Sequence, residues 1–264
     1  TMLATTIPGA VAYLYYADRL YQLPLGVIGV AIGVVLLPDL SRKLRTGDET
    51  GALNSQNRAL ELSLFLTLPA AVALMTIAAP IIHTVFEHGA FSRADTLAVA
   101  PAVLAFASGL PAFSLTKVFQ PGFYAREDTR TPMRFAIISV VVNVVASIIL
   151  ALFLRQTGIA LATSLAAWVN AILLGITLRR RGLFSLDERS RTRLPRIVAS
   201  AVLMGAILLA GTWALRANYA EKAGFMAAAW GLLALVTGGI VSYFVVAQLT
   251  GAMRLGEIKS MLKR

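Results

Sequence analysis

The 264-residue sequence contains no cysteine, which excludes disulfide frameworks, thiolate metal sites and cysteine nucleophiles. Charge is scarce too: Asp, Glu, Lys and Arg make up 14% of the chain, against about 25% in soluble domains. The acidic side is the poorer, with 13 residues facing 24 basic ones. Histidine occurs twice, at His83 and His88, five positions apart, and no metal site is expected there. No Walker A, His-Glu-x-x-His or Gly-x-Ser-x-Gly motif occurs, so nothing indicates ATP use or hydrolysis. Paired carboxylates at Glu127-Asp128 and Asp187-Glu188 have the chemistry for acid–base work or metal binding. Their position in basic connections makes solvated loop charges the expectation.

What is abundant is apolar surface. The hydrophobic share is 58% and the mean hydropathy +0.75, which excludes a soluble enzyme, a nucleic-acid binder and a secreted scaffold. Stretches without any charged residue run 20–38, 62–86, 96–116, 135–154, 156–178, 197–215 and 223–253. A run of about 20 apolar residues spans the hydrocarbon core as a helix, and the alternation of barrel strands is missing. The expectation is an all-α polytopic transmembrane bundle with seven complete spans. Residues 1–7, apolar up to Pro8-Gly9, read as the stub of an earlier helix.

The net charge of +11 is unevenly placed: 18 of the 24 basic residues fall in 41–58, 125–134, 179–196 and the tail from 254. The positive-inside rule makes these segments and the C-terminus cytoplasmic. Seven spans then put the start of the chain outside, although no signal peptide is seen. An odd number of preceding spans reconciles the two, so the chain is expected to be a fragment of a longer membrane protein.

Helices are expected at about 10–45, kinked at Pro24 and Gly26, then 57–86, 94–125, 132–154, 158–180, 195–216 and 225–250. Gly26, Gly29 and Gly33 have the small-residue spacing of close helix packing. Asp18-Arg19 lies about two turns inside the first helix, where a charge costs about 2.5–3.5 kcal/mol and usually faces a bundle interior or wet cavity. Arg suits an anionic ligand because its guanidinium binds phosphate through two parallel hydrogen bonds; snorkelling beside a tyrosine belt is the bland reading. Lys117, near the end of its span, has the same two readings. Asn143 and Ser147 lie one turn apart, with Thr163 and Asn170 on the next helix; they suit helix–helix hydrogen bonds or a small-cation site of oxygen ligands.

The ordered blocks Tyr15-Tyr16-Ala17-Asp18-Arg19-Leu20, Leu23-Pro24-x-Gly26 and Leu36-Leu37-Pro38 resemble the MurJ/MviN family. So do Phe86-Glu87-His88-Gly89-Ala90-Phe91, Pro121-Gly122-Phe123-Tyr124-Ala125-Arg126 and Leu161-Ala162-Thr163-Ser164-Leu165-Ala166-Ala167-Trp168. The resemblance covers about residues 1–182. It implies a flippase of the multidrug/oligosaccharidyl-lipid/polysaccharide exporter superfamily, which moves lipid II, the undecaprenyl-diphosphate-linked peptidoglycan precursor, by alternating access and is not an enzyme. It further implies that 1–182 forms the C-terminal lobe (the stub of helix 7, then helices 8–12). Residues 183–264 would supply two additional helices forming a lipid-tail groove. Arg19, with Asp18, Gln22 and Lys117, would bind the substrate's diphosphate, and the lobe's partner would be the N-terminal lobe. The only cofactor implied is a sodium ion, at Asn143, Ser147 and Thr163. Gln22 and Ser147 stand where relatives carry acidic residues, so those two carboxylates are not carried over. The alternatives are an exporter of another lipid-linked oligosaccharide or drug, or a membrane enzyme acting on polyprenyl phosphates.

Overall fold

Three of the helices begin where a side chain accepts from the first free backbone amides. The computed structural model describes residues 9–219 and 224–252, without the side chains of 27, 28, 30–34 and 218. The expected stub at 1–7 and the basic tail from 254 lie outside this set. Gly9, at a φ of 76°, turns the chain into α1 (Ala10–Arg45), which continues through Pro24 and Pro38. Asp48 caps α2 (Glu49–Thr76) by accepting from the Gly51 amide at 2.8 Å. Ser92 and Asp95 form a reciprocal capping box at the start of α4 (Arg93–Tyr124). Asp187 accepts from the Ser190 amide at 2.7 Å and opens α6 (Glu188–Ala214). A 3₁₀ turn (Arg216–Tyr219) leads towards α7 (Phe225–Leu249). No strand occurs among the described residues.

Two expected helices are corrected. The single helix at 57–86 is instead α2 followed by α3 (Ala78–Phe86), with Ile77 between them at φ −116°, ψ 24°. The reason is Pro80, which has no amide to donate and whose ring collides with the carbonyl four residues back, so the helix breaks and restarts just before it. The sixth expected helix starts at Glu188 and not at about 195, because the Asp187 cap nucleates it a full turn and more before Pro195.

The fifth element, α5 (Arg130–Arg180), spans 51 residues as two helical limbs that meet at Arg155, where the backbone leaves the helical region at φ 51°, ψ −131°. A straight helix of that length would measure about 77 Å, far beyond the roughly 30 Å hydrocarbon core. At Arg155 the chain folds back, and the limbs 130–154 and 156–180 lie antiparallel. Ser139 Oγ donates to the Ala166 carbonyl at 2.8 Å and Asn143 Nδ2 to Thr163 Oγ1 at 3.2 Å. Gly158 makes the return possible, since a Cβ there would run into the Leu150 carbonyl.

Among the described residues five helices, α2, α4, α5, α6 and α7, are long and apolar enough to cross a membrane. At the centre is α4, packed against α1, α2 and α5. Its small residues, Ala102, Ala107 and Ala112 among them, are fully buried and let neighbouring backbones approach. Ser164 of α5 fills the space over Gly109 and donates to the Ala105 carbonyl at 2.6 Å. On the far side of α2, Phe65 and Ile77 meet Met204 and Leu208 of α6 and Leu235 and Tyr243 of α7. The Tyr243 hydroxyl is satisfied by the Phe65 carbonyl at 2.7 Å.

Candidate substrate-binding face

The buried side of α1 is aromatic and small. Tyr21 stacks on Phe106 and Phe113 of α4, Ala17 is fully buried, and Tyr13 donates to Asp95 at 2.8 Å. This fixes the rotation of α1 and turns its other side outward, where Val11, Tyr15, Arg19, Gln22 and Leu23 are exposed. Their spacing follows the helical repeat, so they form one stripe.

Asp18 and Arg19 point in different directions, as adjacent helical residues must, and each is held by a neighbour one turn away. Arg19 Nη2 donates to the Tyr15 hydroxyl at 2.9 Å, with the guanidinium 4.7 Å from the ring centre. Gln22 Nε2 donates to Asp18. Among the described residues Arg19 makes no ion pair, so its charge is open to an anion from outside this fold.

Lys117 is on α4 and crosses α1 at Gly29, where a Cβ would come within 2.7 Å of the lysine Cε. Of the expected set, Gly29 is closely packed and Gly26 has open space around it; the surroundings of Gly33 lie outside the described residues. Ten residues separate Gly29 from Arg19, about 15 Å along the helix. Lys117 also lines a cavity of about 430 Å³ between α4 and both limbs of α5, together with Gln120, Asn143, Thr163 and Asn170. The structure therefore brings Lys117, Asn143 and Thr163 together. Ser147 is buried one turn beyond Asn143 and is not part of this lining, and Asp18, Arg19 and Gln22 lie apart from it on α1. The Oδ1 of Asn170 is buried with no hydrogen-bond partner among the described residues.

The acidic pairs in the connections serve mainly as caps and ties. Bonds from Thr131 and the Arg181 guanidinium hold the Asp128 carboxyl down at about 2. Burial pushes Asp187 up, but donors from Ser190 and Arg58 outweigh it and keep it below the usual carboxylate range. Glu127 and Glu188 are exposed. No group of three or more His, Asp or Glu able to hold a metal exists among the described residues.

A charged cluster between α2 and α6 escaped the sequence reading. Glu61 is 3% exposed and takes Arg58 at 2.7 Å, Ser190 Oγ at 2.7 Å, and Arg189 and Arg193 at 3.4 and 3.7 Å. Arg58 also pairs with Asp187, and Asn57 donates to the Ser185 carbonyl at 2.9 Å. The Asp-x-x-Ser cap at 187–190 was the only local signal for it.

The sequence model of the family described as lipid II flippase MurJ matches residues 1–228. The chain belongs to the lipid II flippase MurJ family. A probable lipid II flippase MurJ of Rhizobium meliloti (strain 1021) is 46% identical over the whole chain, and that of Rhizobium tropici is 45% identical over 97% of it. The corresponding protein of Vibrio cholerae is 36% identical over 96%. The chain covers 49%, 48% and 47% of these three proteins, so it spans about half the length of the curated MurJ relatives it matches.

Proposed function

We propose that this chain is the C-terminal part of a lipid II flippase, which carries the lipid-linked peptidoglycan precursor to the outer leaflet of the bacterial cytoplasmic membrane. The observation that carries the reading is the pairing of MurJ family membership with Arg19, an intramembrane arginine on an uncovered helix face with no carboxylate partner among the described residues. Its guanidinium offers the substrate diphosphate two parallel donors. Tyr15 holds it in place and Gln22 and Asp18 brace the adjoining turn, while Lys117 of α4 is a further positive charge where that helix crosses α1 at Gly29, apart from Arg19. The missing lobe would close over this stripe, and rocking of one lobe against the other would expose it to each side in turn.

Counting α1, α2 with α3, α4, the two limbs of α5, α6 and α7 gives seven crossings, with the arginine-rich connections and the C-terminus cytoplasmic. Within 183–264, α6 and α7 enclose with α2 an almost wholly apolar groove of about 240 Å³, suited to the undecaprenyl tail. No covalent bond is made or broken in this scheme, so the protein is a transporter and not an enzyme. The sodium site at Asn143, Ser147 and Thr163 fits poorly. The three supply neutral oxygens only, with no carboxylate among them, and Thr163 Oγ1 already accepts from Asn143 Nδ2, so no step is routed through a cation.

The test is rescue of a strain depleted of its lipid II flippase by the complete reading frame that carries this chain. Wild-type rescue with failure of a stably inserted Arg19→Ala supports both transport and the site. Rescue by both discards the site. Failure by both, at normal membrane levels, points to an exporter of another lipid-linked oligosaccharide or drug.

A further inference from the structure

A larger cavity of about 630 Å³ lies at the arginine-rich end, between α2, α4, the second limb of α5 and the start of α6. Its wall on α5 is one helical stripe, Trp168, Ile172, Gly175 and Arg179. From first to last this is about 16 Å, roughly half of the 30 Å hydrocarbon core and so the depth of one leaflet. Phe119 of α4 and Leu64 of α2 face the stripe, and the Phe119 ring packs directly over Gly175. Ile172 and Ile176 are 50% and 45% exposed, so the slot opens sideways to surrounding lipid.

The polar groups are confined to one end. Arg179 of α5 and Arg191 of α6 stand in the lining there, beside Ser185. Neighbouring arginines are committed elsewhere: Arg181 to Asp128, Arg58 to Asp187 and Glu61, and Arg189 and Arg193 to Glu61. Neither Arg179 nor Arg191 makes an ion pair among the described residues. An apolar slot one leaflet deep, closed by two uncommitted guanidiniums, matches one kind of molecule in both shape and charge. We propose that this cavity is a binding site for an anionic glycerophospholipid of the arginine-side leaflet, an acyl chain lying along Trp168–Gly175 and the phosphate between Arg179 and Arg191. Basic pockets between helices on the cytoplasmic side recognise such headgroups. The site is separate from the Arg19 stripe and from the groove between α6 and α7. It rests on the membrane placement proposed above and not on the identity of the transported lipid.

The experiment is native mass spectrometry of the complete natural polypeptide in mild detergent, titrated with phosphatidylglycerol and with phosphatidylcholine of the same chains. The wild type is expected to retain phosphatidylglycerol preferentially. Either Arg179→Gln or Arg191→Gln should reduce that preference by about fivefold, the effect of one basic residue at a membrane surface. Arg180→Gln, on the same turn but outside the lining, should leave it unchanged. Ile176→Trp, at an exposed position, should block the slot and reduce retention of both lipids with the arginines intact. Equal retention of the two lipids by the wild type overturns the proposal, and so does an equal loss in Arg180→Gln, which would mean diffuse surface charge. Displacement of phosphatidylglycerol by undecaprenyl phosphate at lower concentration also overturns it, assigning the slot to a polyprenyl tail. Selective retention by a protein that fails to rescue flippase depletion leaves this site standing and removes the transport reading; the opposite pair of results does the reverse.

Discussion

Among the helix faces that the described fold leaves bare, two differ in kind. On the first limb of α5 the bare face is Ile137, Val141, Val144, Ile148 and Leu152, aliphatic throughout and between 48% and 78% exposed. On α1 it is Val11, Tyr15, Arg19, Gln22 and Leu23, equally open but with a cation and an amide in its middle. Bareness alone therefore does not identify the surroundings. An aliphatic face at membrane depth is matched to acyl chains, whereas an arginine there requires water, an anion or another part of the protein.

The sharpest way to break the contrast is to place an arginine on each face. Val144→Arg is expected to cost about 2.5–3.5 kcal/mol, the charge being forced into hydrocarbon. Leu23→Arg, one turn from Arg19, should cost under about 1 kcal/mol if that face meets a wet cavity. Membrane-inserted yield and thermal midpoint in detergent measure both, and equal losses would erase the distinction. A smaller effect separates buried from lipid-facing surface. Ala107→Leu, in the fully buried seam of α4, should destabilise by about 1–3 kcal/mol through overpacking. Val145→Leu on the α5 face should be close to neutral, because lipid yields where protein does not.

The smallest effect is a pH dependence at the base of the α5 hairpin. Asp128 accepts from Thr131 and Arg181 and has its carboxyl lowered from 3.8 to about 2. A depressed folded-state pKa stabilises the fold above the unfolded value and ceases to do so as pH falls through the folded one. The thermal midpoint should thus fall between pH 4 and pH 2, and Asp128→Asn should flatten that part of the curve.

Much of the architecture could be read from residue order because lipid imposes a simple rule: a helix may cross where charge is missing for about 20 residues. The limbs of α5, the course of α4 and the position of α7 followed from that rule alone. The break at Ile77 did not, since hydropathy runs unchanged through it and only Pro80 marks it. The Arg19 site was visible because a charge inside an apolar run stands out locally. The Glu61 cluster was not, because Glu61 sits at the edge of its run and Ser190, its hydroxyl partner, lies 129 residues away. Equally, no sequence rule separates Arg179 and Arg191 from the five other arginines of residues 179–196. Only their position in the fold shows which charges are left uncommitted.

The reversal at Arg155 bears on how the protein is made. With a single non-helical residue joining its two limbs, α5 has no connecting loop that could reach the far side of the bilayer before its second limb follows. On the membrane placement proposed above, the limbs would enter the membrane together as one helical hairpin, joined by hydrogen bonds between Ser139 and Ala166 and between Asn143 and Thr163. In that placement Arg155, the one charged residue between Arg134 and Arg179, would be the charge carried across at the tip, and an insertion placed there would interrupt assembly before any question of transport arose.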